Sequence, residues 1–217
     1  MSGICAFKLC IFTTDKRFKM INEKLFKPES IAVIGASNNI MKPGGKIVKN
    51  LTEHSFQGEI FLVNPKEKEI QGIPSFASVE DLSSVDLAIL AIPAQYCLQA
   101  VEVLASQKNT KAFIIISAGF GETSEEGKKL ENQIVEVVDR YNACLIGPNC
   151  IGVMTPHHAS VFTTPIPPLT SEGCDFISGS GATAVFIMES GIPKGLRFAN
   201  VFSVGNSAQT GVEDVLA

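Results

Sequence analysis

The chain has 217 residues, 45% of them hydrophobic and 18% charged, a mixture that belongs to a packed globular protein and not to a disordered one. Against 18 basic side chains stand 22 acidic ones, and the resulting net charge of −4 gives no general attraction to nucleic acid or to an anionic membrane. With no Trp and 2 Tyr, an aromatic-lined groove for a polymer or a sugar is disfavoured.

Residues 1–19 share no pattern with the rest of the chain, and Met20 opens a segment that reads as a fresh start. Residues 1–24 are therefore expected to be an N-terminal extension, with Met20 the natural initiator. Residues 31–35 form a continuous apolar run ending in Gly35, as a strand buried on both faces of a parallel sheet should. Residues 45–53 predict a helix, 60–63 a second strand stopped by Asn64 and Pro65, 79–82 a brief helical turn, and 87–92 a third strand stopped by Pro93. A helix over 94–107, a fourth strand over 112–116, a charged helix over 124–141 with Leu130, Ile134 and Val138 at helical spacing, and a fifth strand over 143–146 complete the series. Strands alternating with helices through short connections predict a doubly wound, Rossmann-like α/β domain over residues 25–150. Its ligand should sit outside the carboxyl ends of the strands, at Gly35, Asn64, Pro93, Ser117 and Gly147.

Residues 151–172 change character. Four prolines, Pro156, Pro165, Pro167 and Pro168, fall there and helical periodicity disappears, which predicts a Pro-rich connection with solvent-exposed His157 and His158. The alternation restarts over 173–217, with a strand at 175–177, a helix over 181–189, a strand over 198–204 and the beginning of a helix at 212. So few strands do not easily bury a core of their own, so the chain is expected to be the front part of a longer protein or to depend on a partner chain.

The cysteines, Cys5, Cys10, Cys97, Cys144, Cys150 and Cys174, form no C-x-x-C pair, and with 3 histidines no metal site is expected. Free thiols point to a reducing, cytoplasmic compartment. No apolar run reaches the ~18 residues of a membrane span, and Lys8 interrupts the apolar N-terminus, so neither a span nor a signal peptide is predicted.

The chemistry lies at the strand ends. The segment Gly35, Ala36, Ser37, Asn38 through Gly44 and Gly45 is a glycine-rich turn opening a helix, which offers backbone N–H groups to a phosphate. The strict G-x-G-x-x-G is absent, and a tight turn without a ligand remains the alternative. An NAD site wants an acidic residue after the second strand. Here Asn64, Pro65 and Lys66 stand in its place, and a cation suits an additional phosphate on the ribose, as in NADP or coenzyme A; a lone surface lysine is the plainer reading. Cys150 at the end of the fifth strand is a nucleophile, a redox sensor or a buried filler. Ser178, Gly179, Ser180, Gly181 and Ala182 repeat the strand, glycine loop and helix, giving a second anion site or a simple N-cap by Ser180.

Taken in order, Ser30–Ser37, Val63–Lys66, Ile92–Ala94, Ser117–Phe120, Gly147–Gly152, Ser178–Ala182 and Ser203–Asn206 resemble the nucleoside-diphosphate-forming acyl-CoA synthetases, the acetate–CoA ligases (ADP-forming) related to the succinyl-CoA synthetase α subunit. The resemblance implies a CoA-binding Rossmann-like domain followed by the start of a flavodoxin-like ligase domain. It places Gly35, Ala36, Ser37 and Asn38 around the CoA pyrophosphate, and Lys66, with Asn64 and Pro65, by the nucleotide phosphates. Ile92, Pro93, Ala94, Ser117, Ala118 and Gly119 would line the adenosine and pantetheine path, with Asn149 and Cys150 near the thiol end. Ser180, Gly181 and Ala182 would receive the phosphoryl group. The family converts a small carboxylic acid, CoA and ATP to acyl-CoA, ADP and phosphate through an acyl phosphate and a phosphohistidine. That histidine is expected past Ala217, and ATP, ADP and Mg2+ are expected on an ATP-grasp domain or subunit outside this chain, in an oligomer. The competing readings are a CoA-binding module without ligase chemistry, such as the ligase-like half of a protein acetyltransferase, and an NADP-linked oxidoreductase.

Overall fold

A computed structural model describes residues 21–54 and 56–216, so the expectations for residues 1–19 and for Met20 lie outside the described residues. Strand β1 (Ser30–Ile34) is buried at every position and occupies the middle of a seven-stranded sheet. It pairs in parallel with β2 (Glu59–Val63) on one side and with β5 (Leu87–Leu90) on the other. Beyond β5 come β6 (Ala112–Ile115) and β7 (Cys144–Ile146), also parallel. Beyond β2 lies a hairpin of β3 (Glu69–Ile70) and β4 (Ile73–Phe76), with β4 parallel to β2 and β3 antiparallel to β4. The five parallel strands expected from the apolar runs are all present; the hairpin is an addition.

The two faces of the sheet are buried differently. Helices α3 (Cys97–Gln107) and α4 (Glu125–Arg140) cover one face, with Val101 and Leu104 of α3 and Ile134 and Val138 of α4 packed against Ala88, Leu90 and Phe113. Ser124 caps α4, its Oγ accepting the Gly127 N–H at 3.0 Å, a bond worth ~1 kcal/mol. The other face takes α2 (Pro43–Glu53) through Ile47, Val48 and Leu51, and Leu25 of the short α1 (Glu23–Phe26). Val153 and Phe202 join the same cluster from a second sheet, and Val204 from the loop that follows it.

That second sheet corrects the expectation for residues 151–172. The segment carries β8 (Gly152–Thr155) and β9 (His158–Val161), an antiparallel pair. The sheet runs β10 (Leu169–Ser178), β11 (Phe198–Ser203), β8, β9, with β10 parallel to β11 and β11 antiparallel to β8. Both short strands are buried at every position, so the apolar and small residues between the prolines face inward from two sides and leave no helical period to detect. Asn50 of α2 donates from Nδ2 to the Val161 carbonyl at 2.7 Å and ties β9 to the first sheet's helix.

His158 is a second correction: it is 3% exposed, not at the surface. Its Nε2 lies 2.8 Å from the Leu25 carbonyl oxygen, and Ser160 Oγ lies 2.8 Å from its Nδ1. The neutral tautomer with the proton on Nε2 satisfies both, with Ser160 donating to Nδ1. Burial, with a small push from His157 and against the Leu25 bond, brings its pKa down to about 4. His157 does lie at the surface, its ring edge-on to Phe26. Helices α5 (Gly181–Gly191) and α6 (Val212–Leu216) follow β10 and β11.

Candidate functional site

The chain leaves β1 toward β2 on one side, while β5 leads through α3 to β6 on the other. The crevice between the carboxyl ends of β1 and β5 is therefore the switch point at which such sheets take ligands. Gly35 begins the loop there with φ +88°, and a Cβ on it would lie 2.5 Å from the Ala91 carbonyl oxygen. Only glycine fits that close approach. A Cβ at Gly44, in the first turn of α2, would strike the Gly35 carbonyl, so the helix sits down on the loop. Pro43 opens the helix, and the Gly44 and Gly45 N–H groups have no acceptor one turn back. Free N–H groups at the positive end of a helix dipole are the kind of element that can hold an anion.

The residues expected to touch a ligand divide into two groups. The Ala36 side chain is buried in the core, and its carbonyl accepts from Asn64 Nδ2 at 2.8 Å. Asn64 Oδ1 accepts the Lys66 N–H at 2.8 Å, an Asx turn that ends β2. Ser37 Oγ accepts the Asn39 N–H at 3.1 Å. Asn38 Oδ1 accepts the Gln71 N–H at 2.8 Å, and its Nδ2 donates to the Glu69 carbonyl at 2.9 Å and to the Glu67 carboxylate. Asn38 and Asn64 thus spend their amides inside the protein. Pro65 and Lys66 are exposed, and the Lys66 ammonium has no hydrogen-bond or ion-pair partner among the described residues. Lys42 and Lys46, beside Pro43 at the start of α2, are additions to the residues expected from sequence. With Met41, Phe162, Thr163 and Val185 they line a cavity of about 340 Å³, and the signal for them is the pair of lysines flanking the Pro-Gly-Gly.

At the ends of β5 and β6, Ile92 and Ala94 are half-buried and Pro93 is exposed. Ser117 Oγ donates to the Ile92 carbonyl, and Gly119, at φ +106°, comes close to the Ala94 side chain. Ala118 and Gly119 are exposed on the rim. Glu122 holds this loop from behind, accepting the Gly119 N–H at 2.6 Å, the Phe120 N–H at 3.2 Å and Asn206 Nδ2 at 2.5 Å. Burial pushes the Glu122 carboxyl up, and these donors outweigh it, leaving the pKa below the ordinary carboxylate value. Asn206 also donates to the buried Glu131 at 3.0 Å, and its N–H donates to the Pro148 carbonyl at 2.9 Å. The loop after β11 thereby braces the loop after β7.

Asn149 is exposed, with φ +58°, and its N–H donates to the Ser117 carbonyl at 3.0 Å. Cys150 points inward. Its Sγ lies 3.4 Å from the Ile115 carbonyl, and burial raises its pKa to about 12. That thiol is a packed filler with no access to the rim. The glycine loop before α5 is ordered by its own serines: Ser178 Oγ donates to the Ser180 carbonyl at 2.9 Å, and Ser180 Oγ accepts the Thr183 N–H at 3.3 Å. Ser180 and Ala182 are exposed, and Gly181 sits against the Ile151 side chain, where a Cβ would collide. The glycine loop before α5 thus lies against the β7–β8 turn through Gly181 and Ile151.

The sequence matches the family described as CoA binding domain over residues 29–156. The chain belongs to that family. The match spans the parallel sheet and the loops at its carboxyl edge from Gly35 to Cys150, and ends before the glycine loop of Ser178–Ala182. The acetate–CoA ligase [ADP-forming] II subunit alpha of Pyrococcus furiosus is 40% identical over 192 residues, covering 88% of this chain and 41% of its own length. A trans-feruloyl-CoA synthase from an unknown prokaryotic organism is 36% identical over 199 residues, covering 88% of this chain and 28% of its own length. Among solved structures, the dinucleotide forming acetyl-coenzyme A synthetase 1 of Ca. Korarchaeum cryptofilum, in complex with phosphate and ADP, superposes with a TM-score of 0.82 at 29% identity, covering 89% of this chain and 41% of that one. The chain spans less than half the length of each of these relatives. Among the described residues no helix is long and apolar enough to cross a membrane.

Proposed function

We propose that the crevice between β1 and β5 binds coenzyme A and that the chain is the CoA-binding part of an ADP-forming acyl-CoA ligase. The observation that carries this is the pairing of an anion-binding helix start at Gly44 and Gly45 with an unpartnered lysine, Lys66, at the end of β2. A pyrophosphate at the first and a ribose phosphate at the second match the two ends of the CoA nucleotide. Relatives named for acids as unlike as acetate and ferulate align with this same portion at similar identity, which supports a role in handling the CoA they share. The rim of Ile92, Pro93, Ala94, Ser117, Ala118, Gly119 and Asn149 then carries the pantetheine arm, through backbone and small side chains. Of the residues expected to touch CoA, Cys150 is buried away from the rim, and Asn38 and Asn64 commit their amides to bonds within the protein.

The loop at Ser180, Gly181 and Ala182, beside the thiol end, is the receiving site for a phosphoryl group. It contains no lysine or arginine, so its N–H groups bind phosphate weakly and release it. ATP, Mg2+ and the phosphohistidine belong to an ATP-grasp domain or subunit and to a ligase segment outside this chain, and the assembly is oligomeric and cytoplasmic. The free thiols Cys97, Cys144, Cys150 and Cys174 agree with a reducing compartment.

Calorimetric titration of the chain with CoA, dephospho-CoA and NADPH tests the reading. CoA should bind and NADPH should not. Lys66→Ala should weaken CoA by ~1–3 kcal/mol, as for a charge-assisted contact, and dephospho-CoA much less. Equal losses would move Lys66 to the pyrophosphate; absence of CoA binding would refute the assignment.

A further inference from the structure

Nothing in the sequence draws attention to Gln71. It occupies the turn of the β3–β4 hairpin with φ +52°, a left-handed conformation that disfavours any residue with a side chain except asparagine and aspartate. A residue needed only for the turn would be better served by glycine or asparagine. What glutamine adds is reach. Its Nε2 donates to the Ser37 carbonyl at 3.1 Å and to the Gly45 carbonyl at 2.8 Å. One amide therefore ties the start of the glycine loop to the first turn of α2. The Gln71 N–H and Asn38 Oδ1 close the clasp from the other side at 2.8 Å, while Asn38 Nδ2 reaches the Glu69 carbonyl at 2.9 Å.

We propose that Gln71 is a positioning residue for coenzyme A: it holds the Gly35–Gly45 loop in its ligand-accepting shape before the nucleotide arrives. The inference rests on the CoA-binding reading above and deepens it. A loop whose N–H groups are already aimed loses little freedom when a phosphate binds. A loop free to open must be ordered at the expense of binding energy. Gln71 touches no ligand atom in this scheme. Its influence passes through the Ser37 and Gly45 carbonyls, so it should be blind to which phosphates the ligand carries.

The test uses two variants that keep the turn. Gln71→Gly relieves the left-handed backbone and removes the amide, and Gln71→Asn tolerates the same φ but is one methylene shorter. CoA and dephospho-CoA are titrated into wild type and both variants, and melting temperatures are measured in parallel. Each variant should bind CoA about ten-fold more weakly, with the same factor for dephospho-CoA, as expected for a lost preorganising clasp. Melting temperatures should stay level or rise for Gln71→Gly. The equal factors separate Gln71 from Lys66, whose loss should discriminate between the two ligands. Variants that bind CoA within about two-fold of wild type overturn the inference and leave the CoA reading standing. A melting temperature that falls in both variants together with affinity overturns it too, because Gln71 would then be a general stabiliser. A wild-type chain that fails to bind CoA removes the reading and the inference with it.

Discussion

Lowering the pH should unfasten His158. Its pKa in the folded protein is about 4 against an ordinary 6.5, because burial disfavours the charged ring and Nδ1 faces a hydroxyl, not a carboxylate. The unfolded chain binds a proton at 6.5 and the folded one resists until 4, so the unfolded state takes up more protons in between. The stability contributed by the neutral ring is therefore fully present above about pH 6.5 and is lost as the pH falls toward 4. Each pH unit crossed with the ring protonated only in the unfolded chain removes ~1.4 kcal/mol, so the loss between about pH 7.5 and 5 is about 2 kcal/mol, with about another 1 kcal/mol below that. The chain has no Trp, so urea denaturation followed by far-ultraviolet circular dichroism is the suitable assay. His158→Gln keeps a donor toward the Leu25 carbonyl and cannot titrate. It will be less stable at neutral pH, but its stability should change by less than about 0.5 kcal/mol over the same interval, since most carboxylates protonate lower. Identical pH slopes for wild type and His158→Gln would refute the argument, and the acid sensitivity would then belong to other groups.

Gly44→Ala should destabilise the fold by ~1–3 kcal/mol and weaken CoA binding as well, because the new methyl must push α2 off the Gly35 carbonyl; denaturation and titration of the same variant check both. Thiol reactivity should follow burial. Cys97 and Cys150 are raised to about 12 and Cys144 to about 11, all chiefly by desolvation, while Cys174 is exposed. Iodoacetamide at about pH 8 should label the exposed Cys174 rapidly and spare Cys97, Cys144 and Cys150 until the protein unfolds, as read by peptide mass mapping. Rapid labelling of Cys150 would mean that its thiol reaches the rim.

The alternation of strands and helices is legible in the sequence because each core strand is a continuous apolar run. A strand flanked by two others and covered on both faces has no polar side to present. The rim is legible for the complementary reason: glycine, proline and asparagine interrupt those runs where the backbone must turn, and the turn is where N–H groups become free. That rule alone places Gly35, Asn64, Pro93 and Gly147 at the strand ends. The tertiary structure decides which of these residues face outward. Asn38 and Asn64 have the chemistry of ligand contacts, yet their amides satisfy carbonyls that the folding of the hairpin and loop brings within reach. β8 and β9 leave no trace in the sequence because four residues give no period, and their partners are remote: Met154 pairs with Val201, and Val161 is held by Asn50. A histidine between prolines has no local reason to be buried, which is why the sequence points His158 to the solvent. Its burial comes from the Leu25 carbonyl on α1, which only the docking of the second sheet against that helix supplies.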